Sequence, residues 1–296
     1  MSILSLRNVV KQYSNHTAVD NISFDVDKNV LFGLLGPNGA GKTSLIRIIT
    51  TITGADSGEV FIDGEKLNSN HPSHIGYMPE ERGLYKKMKV GEQLMYLAQL
   101  KGMSTKEAKT KIKHWLKKFE ITDWWDKKVE ELSKGMQQKI QFIATVVHEP
   151  KLIILDEPFS GLDPVNTNLI KSEIRKLKEQ GTSIIFSTHR MEQVEEICED
   201  IVLINNGKIV LSGKVNDIKQ KFKENTFRIE FEGELPDFSN YNVLKKDNNS
   251  VTIQLRPSEE GNTLLQYAVS AGTHITAFNE LLPSLNDIFI KIVQNN

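Results

Sequence analysis

The chain has 296 residues, enough for one large domain or two smaller ones, and a quarter of them are charged. Its 37 basic and 38 acidic side chains leave a net charge of -1, so no global field draws it toward nucleic acid or anionic lipid, and no nucleic-acid partner is expected. The single cysteine, Cys198, excludes a disulfide framework and fits a reducing compartment, no basic and apolar leader is visible, and no apolar run approaches a membrane span.

In chain order, Ile3–Leu6 and Ile22–Val26 have strand character and flank a polar turn at 14–16. Tyr13, beside that turn, either stacks on a planar ligand such as adenine or caps the sheet. Val30–Leu35 is a short apolar run that predicts a buried strand. Directly after it, Gly36-Pro37-Asn38-Gly39-Ala40-Gly41-Lys42-Thr43 fits the pattern G-x-x-x-x-G-K-[ST] without a mismatch. From Ser44 to Thr53, Leu45, Ile46, Ile48 and Ile49 recur at helical spacing, with Gly54 as the expected stop. Glycines let successive backbone N–H groups curl around phosphate oxygens, and the helix N-terminus adds positive potential there. Lys42 is then placed to reach the β- and γ-phosphates of a nucleotide, and the Thr43 hydroxyl to hold Mg²⁺. Gly58–Gly64 reads as a strand ending in a turn, and Ile75–Pro79 is expected to close this β-rich lobe.

Composition changes from about Tyr85 to Glu131, within a helical subdomain placed at about 85–148: lysines multiply, and Leu94, Leu97, Ala98, Ile112, Leu116 and Phe119 fall at helical intervals. An inserted helical subdomain is predicted, with Trp115 in its core. Adjacent Trp124 and Trp125 cannot face the same way, which leaves one exposed for a partner. Ser133 is a natural N-cap for the helix that follows, and the N–H groups there, with Gly135, offer a second anion site. One nucleotide does not need two such sites; a second copy of the chain does. Leu152–Asp156 is an apolar strand that delivers two acids, with Asp156 expected on the metal and Glu157 expected to orient or deprotonate a water. Asp163 and Pro164 start a helix running to about Gln180. Ser183–Ser187 is another buried strand, ending at Thr188-His189, where His189 is in reach of a γ-phosphate. His71, His74 and His148 are expected to be solvated, and Cys198 to be a packed or half-exposed thiol. Asn205-Asn206-Gly207 predicts a type I′ hairpin turn.

These stretches together resemble the ATP-binding subunits of ABC transporters. The resemblance covers residues 1 to about 215: an aromatic loop at Tyr13, Walker A at Gly36–Thr43, a signature at Leu132–Met136, Walker B at Leu152–Asp156, Glu157 with the Asp163 loop, and a switch histidine at His189. It implies a P-loop NTPase of ABC type, an α/β fold with an inserted helical subdomain. It further implies ATP hydrolysis with Mg²⁺, and nucleotide contacts from Tyr13, the loop 36–44, Ser133, Gly135 and Asp163. Two subunits would sandwich two ATP molecules, with Ser133 and Gly135 of one completing the site of the other. The partners implied are a second copy or a related ATP-binding subunit and a separate membrane permease, which would hold the chain on the cytoplasmic face of the membrane. Two departures stand out. Glu80 occupies the slot of the family's usual glutamine, where a carboxylate still ligates Mg²⁺ but repels a γ-phosphate. Lys134 and Met136 also depart from the usual signature. The run Pro79-Glu80-Glu81-Arg82-Gly83-Leu84-Tyr85 resembles the Nat-type sodium exporters among type-2 ABC exporters, so the substrate implied is Na⁺, with a drug or peptide the other candidate.

Beyond a polar connector at 216–225, residues 226–296 predict a small C-terminal α+β domain. Phe227, Ile229 and Phe231 alternate, as do Val251, Ile253 and Leu255. A helix is expected at 263–271, a strand at 274–280 and a closing amphipathic helix from Leu281 to Ile292, with no catalytic cluster, which reads as a dimerising or regulatory module. Against the transport motor stand a cytosolic ABC ATPase uncoupled from transport and a nucleotide-binding regulator. The insert is too short for the coiled coils of repair ATPases, a single set of motifs argues against the translation type, and Glu157 argues against a non-hydrolysing binder.

Overall fold

The computed structural model describes residues 1–81, 83–233 and 237–294. Arg82, part of the Pro79–Tyr85 run, lies outside the described residues. The chain divides into two compact units, Met1–Lys214 and the residues from Val215 onward.

The first unit opens with a long hairpin, β1 (Ser2–Tyr13) and β2 (His16–Asp27). Leu4, Leu6 and Val9 on β1 and Val19, Ile22 and Val26 on β2 are all buried, with a shift of register between Leu6 and Val9. β4 (Ser57–Ile62) and β5 (Glu65–Lys66) extend it into an antiparallel sheet of order β2-β1-β4-β5. A second sheet holds β3 (Leu31–Leu35), β6 (Ile75–Met78), β7 (Leu152–Asp156), β8 (Ser183–Thr188), β9 (Asp200–Asn205) and β10 (Lys208–Lys214), in the order β10-β9-β3-β8-β7-β6. β3, β7 and β8 are buried at every residue, as expected of parallel strands covered on both faces. Helix α1 (Lys42–Ile49) sends Leu45, Ile46, Ile48 and Ile49 into one core shared with residues of both sheets. Burying side chains of this size contributes about 1.5–3 kcal/mol each.

β6 differs from expectation. It pairs in parallel with β7, Ile75 opposite Leu152, and so belongs to the central sheet instead of closing the β-rich lobe. Helix α1 also ends earlier than the Gly54 stop, because Thr51 takes the left-handed conformation (φ 60°). The β9–β10 turn has the anticipated chemistry, with positive φ at both Asn206 and Gly207.

The helical insert comprises α2 (Val90–Leu100), α3 (Thr105–Lys118) and α4 (Lys134–Val146), and the first unit continues with α5 (Pro164–Glu179) after β7 and α6 (Met191–Ile197) after β8. The Ser104 hydroxyl caps α3 by accepting from the Glu107 N–H at 3.3 Å. Trp115 is buried and packs with Phe119 and Phe142 at ring separations of about 6 Å. Neither Trp124 nor Trp125 is exposed: both are half-buried, and the Trp125 ring lies so close to Gly91 that a methyl group there would clash at 2.4 Å. His71 is buried, its Nδ1 accepting from the Asn68 N–H at 3.1 Å, and only His74 of the three loop histidines is exposed. His148 is half-buried, and burial together with the nearby Lys101 ammonium pushes its pKa down to about 4. Cys198 is buried, which pushes its thiol pKa up.

In the second unit, α7 (Val215–Lys221) occupies most of the polar connector at 216–225. There follow β11 (Thr226–Glu232), β12 (Asn242–Asp247), β13 (Ser250–Gln254), α8 (Gly261–Ser270), β14 (His274–Leu281) and α9 (Leu285–Gln294). The sheet is antiparallel, of order β12-β13-β11-β14, over a core of Ile229, Phe231, Phe238, Val251, Ile253, Leu255, Leu264 and Ala268. β12 had no sequence signal because every one of its residues is exposed. Leu281 ends β14 and Leu282 lies in the connection to α9, so neither belongs to the closing helix. No helix among the described residues is long and apolar enough to cross a membrane.

Candidate functional site

Parallel register sets the site. Leu35 at the end of β3 lies opposite Thr188 of β8, and Ser187 of β8 lies opposite Asp156 of β7. The segments leaving three neighbouring strands therefore meet at their C-terminal ends, where open α/β sheets bind ligands.

The loop after β3 is shaped by backbone and tolerates no side chain at two points. Gly36 (φ 150°) sits against the Ile204 carbonyl and Gly41 (φ 108°) against the Ala18 carbonyl; a Cβ at either would stand 2.2 or 2.1 Å from that oxygen. Gly41 also precedes α1, whose first turn carries no acidic residue and no side-chain cap, so its N–H groups are available to an anion. Lys42 is buried, with Nζ donating to the Gly36 carbonyl at 2.6 Å and the Pro37 carbonyl at 3.0 Å. Burial lowers its pKa, opposed by the charges of Glu157, Asp156 and Glu80.

Across from the loop, Asp156 is buried and accepts from the Ser187 hydroxyl at 2.7 Å. Burial raises its pKa, with that hydrogen bond working in the opposite direction. Glu157 has a left-handed backbone (φ 49°), which costs a non-glycine residue about 1–2 kcal/mol. Its N–H donates to the Ser187 carbonyl at 2.9 Å. The Glu157 carboxylate accepts from the Thr188 hydroxyl on Oε2 at 3.1 Å, and from the His189 N–H and ring Nδ1 on Oε1 at 2.9 and 2.7 Å.

A cleft of about 380 Å³ brings together Tyr13, Asn38, Gly39, Ala40, Gly41, Lys42, Thr43, Ser44, Glu80, Asp156 and Glu157, with His16 and Ala18. Gly36 and Pro37 form the base of the loop, and His189 adjoins the cleft through Glu157. Ser133, Gly135 and Asp163 are not on its wall. Ser133 caps α4 by accepting from the Met136 N–H at 3.3 Å. Asp163 caps α5 (Pro164–Glu179), and its hydrogen bonds from Asn166 hold its carboxyl below the usual range. A Cβ on Gly135 would lie 3.7 Å from the Gly161 carbonyl, so the signature and the Asp163 loop are neighbours. Sequence reasoning missed four participants. His16 could have been found from its position opposite Tyr13 in the hairpin, whereas Ala18, Ser187 and Thr188 carry no signal in a single sequence.

The family described as ABC transporter matches residues 19–160, and that described as ATP-binding protein DrrA1-3-like, C-terminal domain, matches 213–293. An uncharacterized ABC transporter ATP-binding protein of Bacillus subtilis, YhaQ, is 44% identical over 98% of each chain. The ABC transporter ATP-binding protein NatA of the same organism is 33% identical over 68% of this chain and 83% of its own. A solved ATP-binding subunit of an ABC transporter superposes with a TM-score of 0.70 and 28% identity, covering 75% of this chain and 93% of that one. The chain belongs to the ATP-binding proteins of ABC transporters, a family of ATP-hydrolysing cassettes.

Proposed function

We propose that this chain is the ATP-hydrolysing motor of an ABC exporter, coupled to a separate membrane permease that holds it at the cytoplasmic face of the membrane. The observation that carries the reading is the cleft where Lys42, Thr43, Asp156 and Glu157 converge from the ends of β3 and β7. The loop N–H groups and Lys42 bind the phosphates, while Tyr13 stacks on the adenine. Thr43 and Asp156 present oxygen donors, and a cation beside Asp156 relieves the cost of its burial. They fit Mg²⁺, which uses one or two protein oxygens with phosphate and water completing its shell, and which neutralises charge developing on the phosphates. Glu80, at the cleft, adds a third candidate oxygen ligand. Glu157 orients and deprotonates the attacking water, and His189 holds Glu157 through its backbone N–H and ring Nδ1, in reach of a γ-phosphate.

Ser133, Gly135 and Asp163 lie off the cleft wall, which supports their use in the site of a second copy or a related subunit. The Nat-type reading, with Na⁺ as substrate, rests on the Pro79–Tyr85 run and the similarity to NatA, and transport of a drug or peptide is its alternative. The test replaces Glu157 by Gln. Turnover should fall about 10²–10⁴-fold while ATP binding survives, and a long-lived dimer should form in Mg-ATP, read by light scattering. A variant that hydrolyses at the wild-type rate removes Glu157 from its role; an inactive variant that stays monomeric in ATP removes the shared site.

A further inference from the structure

We propose that Thr188 is a positioning residue for hydrolysis, whose hydroxyl holds the Glu157 carboxylate so that Oε2 is the atom that takes the proton from water. The inference rests on the reading of Glu157 as the base and goes beyond it by naming the atom and what aims it.

The first step is to assign the hydrogens. Thr188 Oγ1 has one proton and two lone pairs. The Arg190 backbone N–H, which can only donate, reaches Oγ1 at 3.1 Å and takes one of those lone pairs. An ionised carboxylate can only accept, so the hydroxyl proton goes to Glu157 Oε2, at 3.1 Å. Likewise, the His189 ring faces Oε1 with a protonated Nδ1.

The second step is a count of acceptor sites. Each carboxylate oxygen offers about two. Oε1 already receives two N–H groups, both from His189. Oε2 receives the Thr188 hydroxyl alone among the described residues. One lone pair is left, and it belongs to Oε2. As a water oxygen bonds to the γ-phosphorus and the bond to the leaving phosphate breaks, the water's proton passes to that lone pair.

Rigidity is the third element. Thr188 is fully buried at the end of β8, and a β-branched side chain in a strand has few rotamers. Its hydroxyl is therefore a fixed post, and the backbone at Glu157 is itself held in the left-handed region by the bond to Ser187. Without the hydroxyl, Oε2 loses the one partner it has among the described residues, and the carboxylate can swing about the contact to His189.

The test uses the full chain in Mg-ATP, with single-turnover hydrolysis, equilibrium ATP binding and circular dichroism. Thr188→Val keeps the shape and removes the donor, Thr188→Ser keeps the donor, and Thr188→Val is also combined with Glu157→Gln. The hydrolysis rate of Thr188→Val should fall about 10- to 100-fold, the scale of one hydrogen bond to a charged group, with ATP affinity unchanged. Thr188→Ser should restore the rate, and the double variant should be no slower than Glu157→Gln alone, because the hydroxyl acts only through the carboxylate. If Val does not give the native dichroism spectrum, Thr188→Ala replaces it under the same criteria. A wild-type rate in Thr188→Val, a Ser variant as slow as Val, or an additive double variant overturns the assignment. Should Glu157→Gln itself turn over normally, the base reading fails; a slow Glu157→Gln beside an unaffected Thr188→Val overturns the role of Thr188 alone.

Discussion

The nucleotide cleft and the C-terminal sheet are built on opposite terms. In the first unit, Lys42, Asp156, Glu157, Lys171 and Glu173 are all buried, and Glu157 adopts a backbone conformation that L-residues avoid. In the second unit, the only buried polar residues among those described are Thr226 and Ser250, and no charged side chain is buried. Buried charge and local strain are expensive and persist where surrounding structure enforces them. The central sheet tolerates those costs because β3, β7 and β8 are buried throughout; a four-stranded sheet with an exposed edge at β12 has no such reserve. The first unit is organised for chemistry and the second for folding.

The sharpest way to break that contrast is to remove a buried charge from the cleft. Lys42→Ala should abolish ATP turnover and weaken nucleotide binding while leaving the thermal melt of the nucleotide-free chain nearly unchanged, because Nζ serves phosphates more than the core. A variant that hydrolyses ATP at the wild-type rate would refute the role of the lysine. Next in size, Ile253→Ala, in β13 and fully buried, should destabilise the second unit by about 2–5 kcal/mol, the cost of a core cavity. Two-phase unfolding followed by hydrogen exchange should show the loss confined to residues after 214, with ATP binding by the first unit retained. Loss of nucleotide binding in parallel would mean that the two units are not independent.

The smallest effect concerns acid. His148 has its pKa lowered to about 4 from an ordinary 6.5, so the unfolded chain binds a proton at a pH where the folded chain does not. Stability from this group is complete above pH 6.5 and is lost as pH falls from there toward 4, by about 3 kcal/mol in all. His148→Phe should flatten that part of the stability–pH curve of the first unit, and the second unit, with no such group, should show no matching slope. An unchanged slope in the variant would assign the acid sensitivity elsewhere.

Legibility from sequence followed how local the cause was. The phosphate loop was readable because a strand, three glycines and an amphipathic helix are contiguous. Asp156 and Glu157 were readable because four apolar residues running into two acids make sense only at the end of a buried strand. β6 was misplaced because its partner, β7, lies more than seventy residues further on and nothing in Ile75–Met78 names it. Ser187 and Thr188 were invisible because a hydroxyl at the end of an apolar run looks like an ordinary strand exit, and their work depends on register with β7. Trp124 and Trp125 misled because adjacent side chains at the end of a single 3-10 turn need not point to opposite sides, and Gly91 makes room for one of them. β12 went unread because all of its residues are exposed and no alternation marks it, and α7 because its seven residues bury only Val215 and Ile218, too short a pattern to stand out from a polar connector.

The phosphate loop is braced by other people's backbone, so to speak: the carbonyls of Ala18 and Ile204 press on Gly41 and Gly36, and the Gly207 N–H donates to the Ala40 carbonyl at 2.9 Å. Asp20 in turn donates its N–H to the Gly207 carbonyl at 2.9 Å, closing a main-chain circuit through β2 and the β9–β10 turn. No rotamer has to settle before this mould exists. The entropy of shaping it is spent when the sheets fold, so a polyphosphate arriving later meets a rigid cradle and loses only its own freedom. Substitutions that loosen the Asn206–Gly207 turn should therefore weaken phosphate capture from a distance, without touching any group the nucleotide contacts.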